Sequence, residues 1–102
     1  MAVFNVTKEN FTEIRNSAKP VLLDFYADWC GPCRMVSPLV DEIAEEHSEF
    51  TVGKVNVDEQ PELAAAFGVS SIPMLAVIKN GAVTAHAVGA RPKSAILGML
   101  KG

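Results

Sequence analysis

The two cysteines of the chain, Cys30 and Cys33, are separated only by Gly31 and Pro32. Two thiols at this spacing can exchange disulfides, because a thiolate attacks a disulfide sulfur and a neighbouring thiol then displaces the product. A disulfide between them would close a ring too small to constrain the unfolded chain strongly, so the pair suits reactivity better than scaffolding. The spacing therefore predicts thiol chemistry at this position.

The elements that flank the pair place it at the start of a helix. Residues 21–27 are apolar apart from Asp24, which predicts a central strand that is covered on both faces. After Cys33, apolar residues recur every four positions, which predicts a long helix that Pro38 should kink. The unpaired N–H groups and the positive dipole end of that helix would stabilise a thiolate on Cys30. Cys30 would be exposed at the start of the helix, whereas Cys33 would lie one turn inside the helix and would be the more enclosed thiol.

Asp24 interrupts the otherwise apolar run and has three possible explanations. It could begin a strand after a loop, it could be a core polar group satisfied by partners, or it could be a functional acid. If Asp24 is buried, desolvation should raise its pKa, because burial disfavours the charged form.

The remaining sequence predicts a mixed α/β fold. Strand and helix patterns alternate, and Asn80-Gly81 between two apolar runs predicts a hairpin. Crossover connections make the earlier strands parallel, whereas the hairpin adds an antiparallel pair. We predict one domain over residues 1–102, with the order β-α-β-α-β-α-β-β-α. The other predicted elements are strands at 3–6, 52–57, 74–78 and 82–88, a helix capped by Thr7 that ends before Pro20, a helix at 61–67, and a last helix that Pro92 opens.

Composition narrows the classes of function. The 102 residues carry a net charge of −3 and no block of basic residues, which gives no support for binding to nucleic acid or to an anionic membrane. No apolar run approaches the ~20 residues that cross a bilayer. The N-terminus lacks a basic segment followed by an apolar one, so no signal peptide is predicted. We expect a soluble, cytoplasmic protein.

The segment Trp29–Cys33, preceded by Asp24–Ala27, resembles the active site of the thioredoxin family. The resemblance extends over essentially the whole chain in the family's order and spacing. It implies the thioredoxin fold, with a central mixed five-stranded sheet flanked by four helices, and a dithiol reductase of protein disulfides. The other matching segments are Pro38, residues 54–58, Ile72-Pro73, residues 79–81 and residues 88–90.

The resemblance also implies roles for individual residues. Cys30 would be the attacking thiolate and Cys33 the resolving thiol. Asp24 would be a buried carboxyl group that relays the proton of Cys33, and Lys54 would approach Asp24 from the next strand. Pro73 would be a cis proline that faces the cysteines. Substrates would contact an apolar rim and, beside it, the segment around the cis proline. The rim comprises Trp29, Gly31, Pro32, Ile72, Val88, Gly89 and Ala90. The segment around the cis proline adds Pro73 and Met74.

For partners, the resemblance implies a thioredoxin reductase that re-reduces the oxidised pair with electrons from NADPH or ferredoxin. It implies disulfide-containing substrates of the ribonucleotide reductase, peroxiredoxin and methionine sulfoxide reductase types. The protein itself would be a monomer without a bound cofactor or metal. Family members usually have threonine where this chain has Met74, and glycine or arginine are common where it has serine in the segment Ser70-Ser71. These departures bear on the choice of partner.

Two other functions remain open from the sequence. A disulfide oxidase or isomerase would share the fold, although relatives with those roles usually carry histidine between the cysteines. A non-catalytic interaction module would use the apolar rim without redox chemistry. A zinc site is disfavoured, because His47 would lie roughly 20 Å from Cys33 along the helix, and His86 has no neighbour in sequence of ligand type.

Overall fold

Strands and helices follow one another in the predicted order. The computed structural model describes residues 3–102, and in this range no helix is long and apolar enough to cross a bilayer. The elements are β1 (Val3–Asn5), α1 (Phe11–Arg15), β2 (Val21–Tyr26), α2 (Gly31–Glu46), β3 (Thr51–Asn56), α3 (Pro61–Ala66), β4 (Met74–Lys79), β5 (Ala82–Val88) and α4 (Lys93–Lys101).

The strands form one mixed sheet in the order β1-β3-β2-β4-β5. Strands β1 and β2 both run parallel to β3, whereas β4 runs antiparallel to β2 and to β5. The strongly apolar β2 lies at the centre and is buried from Val21 to Phe25, as its sequence predicts. The predicted mixed five-stranded sheet is therefore confirmed.

Two hydrophobic cores cover the two faces of the sheet, because successive side chains of a strand point to opposite sides. We call them the α1/α3 core and the α2/α4 core after the helices that contribute to them. The α1/α3 core contains Val6, Ile14, Val21, Leu23, Phe25, Val55, Leu63, Met74, Ala76 and Ile78. The α2/α4 core contains Leu22, Val36, Val40, Ile43, Ala44, Val52, Leu75, Val77, Ile96 and Leu100.

The first helix is shorter than its sequence pattern predicts. It begins at Phe11, and Thr7 does not cap it. Instead, the backbone N–H of Thr7 donates to Asn10 Oδ1 at 2.8 Å, and the Thr7 carbonyl accepts the backbone N–H of Asn10 at 3.2 Å. Asparagine side chains compete in this way with helical backbone hydrogen bonds. A local turn therefore occupies residues that were expected to be helical.

The hairpin between β4 and β5 is confirmed at the predicted Asn-Gly pair. Asn80 and Gly81 have φ values of 54° and 81°, the left-handed conformation that a two-residue hairpin turn requires. Further along, Ile78 pairs with Val83 and Val77 with Ala85, so that Thr84 is an extra residue in β5. This β-bulge lies in the outermost strand of the sheet.

Candidate active site

The cysteine pair lies at the start of α2, shortly after the end of β2. Cys30 is the residue before the helix, with an extended backbone (φ −86°, ψ 113°), and its Sγ accepts the backbone N–H of Cys33 at 3.2 Å. Pro32 lies in the first helical turn, where a missing N–H sacrifices no hydrogen bond. The two cysteines form a disulfide with their Cα atoms 5.3 Å apart. The predicted position at a helix start is confirmed.

The two cysteines differ less in exposure than the sequence predicts. Cys30 is 4% exposed and Cys33 3%, so the expectation that Cys30 is exposed is wrong for the oxidised form, whereas Cys33 is enclosed as expected. The physical reason is a small apolar cluster that contains both cysteines and Ala27, with Ile72 packed against it. The oxidised pair therefore presents little surface to a partner.

The sheet brings a second segment to the same end of the molecule. Phe25, near the end of β2, pairs with Met74 at the start of β4, and Met74 in turn pairs with Val88 at the end of β5. The peptide bond Ile72–Pro73 directly before β4 is cis, as predicted. The Pro73 carbonyl accepts the backbone N–H of Gly89 at 2.8 Å. This hydrogen bond ties the loop before β4 to the loop after β5.

Most of the apolar rim is at the surface. Trp29 is 69% exposed, and its indole Nε1–H donates to Asp58 Oδ2 at 2.9 Å, which fixes the orientation of the ring. The exposed residues of the rim are Trp29, Gly31, Pro32, Val88 and Ala90, and the half-buried ones are Ile72 and Gly89.

Met74 departs from the expected position at the substrate-facing surface. Its side chain is only 5% exposed and belongs to the α1/α3 core. The reason is its place in the sheet, where it is paired on both sides by Phe25 and Val88. The expectation that the Met74 side chain adds to the contact surface is corrected accordingly.

Asp24 is a buried carboxyl group in the middle of β2. It is 1% exposed, and neither of its oxygens has a hydrogen-bond partner among residues 3–102. Desolvation raises the pKa of Asp24 from 3.8 to about 6; Lys54 opposes this rise and Asp41 adds to it. The predicted rise in pKa is confirmed. Asp24 is neither the start of a strand nor a core group satisfied by protein partners within the described chain.

Lys54 lies beside Asp24 in the sheet but its ammonium group turns elsewhere. The Cα atoms of Asp24 and Lys54 are partners in the parallel pair of β2 and β3. Lys54 Nζ forms an ion pair with Asp41 Oδ1 at 2.7 Å and donates to Ser37 Oγ at 2.5 Å. Across residues 3–102, no ion pair within 4.0 Å joins Lys54 to Asp24. The expected approach of Lys54 to Asp24 is therefore limited to adjacent positions in the sheet.

Sequence reasoning missed Ser37 and Asp41, the two residues that bind Lys54. Both lie on α2, four and eight positions after Cys33, and residues four apart share a helix face. That spacing was visible in the sequence and could have identified them. In the part of the chain that the structure describes, no group of three or more His, Cys, Asp or Glu side chains is arranged to hold a metal ion.

Comparison with known proteins agrees with this geometry. The family model described as "Thioredoxin" matches residues 2–102. The chain is 50% identical to a thioredoxin from Pyropia yezoensis, with 98% of this chain and 95% of the relative covered. It is 46% identical to a thioredoxin from Alicyclobacillus acidocaldarius, with 90% and 89% covered.

A solved structure shows the same fold. A variant thioredoxin from Halobacterium salinarum superposes with a TM-score of 0.90 at 33% identity, and the match covers 98% of this chain and 88% of that one. The family match, the relatives and the disulfide at the start of α2 lead to one conclusion. The chain belongs to the thioredoxin family and is a dithiol–disulfide oxidoreductase that reduces protein disulfides through its Cys30–Cys33 pair.

Proposed function

We propose that Cys30 attacks the disulfides of partner proteins, that Cys33 resolves the mixed disulfide, and that Asp24 accepts the proton of Cys33. One observation supports this division of roles above all others. Cys30 Sγ accepts the backbone N–H of Cys33 at the start of α2, where unpaired N–H groups and the helix dipole stabilise negative charge on sulfur. The structure gives Cys33 Sγ no equivalent backbone donor among the described residues.

The proposed reaction moves two electrons from the reduced pair to the substrate. The Cys30 thiolate attacks one sulfur of the substrate disulfide, forms a mixed disulfide and releases the first substrate sulfur as a thiolate, which takes up a proton. Cys33 then gives its proton to the Asp24 carboxylate and attacks Cys30 Sγ. The Cys30–Cys33 disulfide forms, and the second substrate thiolate leaves. With a pKa of about 6, Asp24 is mostly ionised at pH 7 and can accept this proton.

Substrates would bind at the apolar rim and along the segment before β4. The exposed Trp29 and Val88 give this end of the molecule an apolar surface without a charged side chain in the rim itself. Ile72, which packs against the cysteine cluster, directly precedes the cis proline Pro73. Lys54 would act on the reaction through its charge on Asp24 rather than by touching a substrate.

The wider setting follows from the family. A thioredoxin reductase would re-reduce the oxidised pair, and the protein would act in the cytoplasm as a monomeric single domain over residues 1–102. Substrates would include disulfides of the ribonucleotide reductase, peroxiredoxin and methionine sulfoxide reductase types. The Gly31-Pro32 spacer, which lacks histidine, favours reduction over disulfide oxidation or isomerisation.

The test compares two matched variants, Cys33→Ser and Cys30→Ser, with the parent protein. The parent should accelerate the reduction of insulin by dithiothreitol, whereas both variants should lose this acceleration. Cys33→Ser should trap substrates as mixed disulfides on Cys30, which non-reducing electrophoresis and mass spectrometry of the linked peptides detect. Trapping by Cys30→Ser but not by Cys33→Ser would reverse the two roles, and a parent protein without acceleration would refute the reductase function.

A further inference from the structure

One face of α2 carries the resolving cysteine and both residues that bind Lys54. Cys33, Ser37 and Asp41 are spaced by four residues, so they lie above one another on the same side of the helix. Ser37 Oγ and Asp41 Oδ1 lie 2.5 Å and 2.7 Å from Lys54 Nζ. Two side chains of α2 therefore hold one ammonium group that originates from β3.

The Lys54 ammonium has a second possible partner that it does not use. Asp24 is the neighbour of Lys54 in the adjacent strand, and side chains at paired positions of a parallel sheet share a face. Yet both Asp24 oxygens lack a hydrogen-bond partner within residues 3–102. An unpaired buried carboxyl group beside a lysine would normally attract its ammonium, since a buried charge is costly without a partner. The contacts from α2 provide the competing attraction.

We propose that Ser37 and Asp41 are positioning residues that hold the Lys54 ammonium group away from Asp24 and so control how readily Asp24 takes up a proton. This inference rests on the proposed role of Asp24 as the proton acceptor of Cys33. An ammonium group bonded directly to Asp24 would stabilise the carboxylate and make it a weaker base. With Lys54 held at α2, Asp24 keeps enough affinity for a proton to accept one from a thiol near neutral pH.

The charged groups around Asp24 and Lys54 fix the sign of the expected changes. On β3, Lys54 opposes the rise of the Asp24 pKa; on α2, Asp41 adds to it. Glu45 of α2 lines one surface depression beside Lys54, and Asp28 and Glu59 line the other. Besides Lys54, the charged residues that line these two depressions all carry carboxyl groups. Removal of Asp41 frees Lys54 to move toward Asp24, and removal of Ser37 leaves Lys54 held by Asp41 alone, so either change should lower the Asp24 pKa.

The experiment measures the pKa of Asp24 by NMR titration of its side-chain carboxyl carbon in the oxidised protein. Asp41→Asn should lower this pKa by roughly one unit, because it frees Lys54 and removes a negative charge. Ser37→Ala should lower it by a smaller amount, since it removes only the hydrogen bond to Lys54. Glu42→Gln is the matched control: it removes a carboxylate from the same helix, but Glu42 binds Lys93 at 3.0 Å, and the Asp24 pKa should stay unchanged.

A second background separates positioning from direct charge effects. In Lys54→Met protein, Ser37→Ala should leave the Asp24 pKa unchanged, and Asp41→Asn should retain only the effect of its own charge. An unchanged Asp24 pKa in Ser37→Ala with Lys54 present would overturn the proposal, as would an equal Ser37→Ala effect with and without Lys54.

The pH profile of insulin reduction distinguishes the two proposals. A profile that moves to lower pH together with the Asp24 pKa supports both. A pKa that falls while the profile stays fixed supports the positioning of Lys54 and refutes Asp24 as the proton acceptor.

Discussion

The cores on the two faces of the sheet contain equal numbers of buried apolar residues but differ in polar content. Each core contains ten buried apolar residues. On the α1/α3 side the buried side chains of β2 are all apolar, namely Val21, Leu23 and Phe25. On the α2/α4 side Asp24 follows Leu22 at the next position of the same face. Both cores thus stabilise the fold by burial, but only one also carries a buried ionisable group. The redox helix, α2, packs on that second face.

This difference shows where stability and chemistry conflict. A carboxyl group buried without a hydrogen-bond partner in the described chain favours the unfolded state whenever it must ionise. The α1/α3 face has no such group in its core and can be optimised for packing alone. Substitutions on each face can test this contrast.

The largest effect is expected from a matched pair of leucines in β2. Leu22 and Leu23 are adjacent and fully buried, and they point into the α2/α4 core and the α1/α3 core respectively. Leu22→Ala and Leu23→Ala should each lower the free energy of unfolding by about 2–5 kcal/mol, through lost burial and a residual cavity. Urea unfolding of the oxidised protein measures both values. Losses that differ by more than about 2 kcal/mol would contradict equal packing of the two faces.

The next effect is a gain in stability on removal of Asp24. Its pKa rises from 3.8 to about 6 on folding, so ionisation of Asp24 lowers the free energy of unfolding. This loss of stability is absent below pH 4, grows between pH 4 and 6, and is complete above pH 6. Asp24→Ala should therefore raise the free energy of unfolding by up to about 3 kcal/mol at pH 8 and by much less at pH 4. The same variant should slow disulfide exchange.

Asp24→Asn is the control for this prediction, because it keeps the size and polarity of the side chain but cannot ionise. Both variants should lose the fall in the free energy of unfolding that Asp24 causes between pH 4 and 6, as measured by urea denaturation across that range. An Asp24→Ala protein that is less stable than the parent at pH 8, or an Asp24→Asn protein that loses as much stability as the parent between pH 4 and 6, would contradict the ionisation penalty on the α2/α4 face.

The smallest effect tests how tightly the α1/α3 face is packed. A Cβ atom on Gly53 would lie 2.5 Å from Val6 Cγ2 and 3.4 Å from Leu23 Cδ2, both in buried side chains of that core. Gly53→Ala should lower the free energy of unfolding by about 1–3 kcal/mol through overpacking. Gly98→Ala is the matched control in α4, since a Cβ there meets no atom within 4 Å, and it should be neutral or stabilising by up to about 1 kcal/mol. Equal effects of the two substitutions would contradict tight packing of Val6 and Leu23 against Gly53.

Much of the fold could be predicted because its signals are local. The apolar run of β2, interrupted only by Asp24, predicts a central strand. The Asn80-Gly81 pair predicts the hairpin independently of the rest of the sequence. The cis conformation of Pro73 was accessible only through the resemblance to a family, because most X–Pro bonds are trans.

The features that sequence reasoning missed depend on competition between distant groups. Lys54 has two carboxyl groups within its reach, and only the packing of α2 on the sheet determines that it binds Asp41. Cys30 is enclosed because Ile72, from a segment far along the chain, packs against its cluster. Asn10, and not Thr7, directly precedes α1, because the two residues form a hydrogen-bonded turn that helix propensity alone does not predict.

The β-bulge at Thr84 has a consequence for the behaviour of the protein in concentrated solution. Strand β5 forms one edge of the sheet and has no charged side chain over its seven residues, and such an edge invites another chain to add a strand. The extra residue bends the strand and breaks the regular row of backbone hydrogen-bonding groups. An incoming strand therefore finds only short regular stretches on either side of the bulge. The bulge thus interrupts this edge through the backbone, in a strand that lacks the lysines that commonly protect such edges.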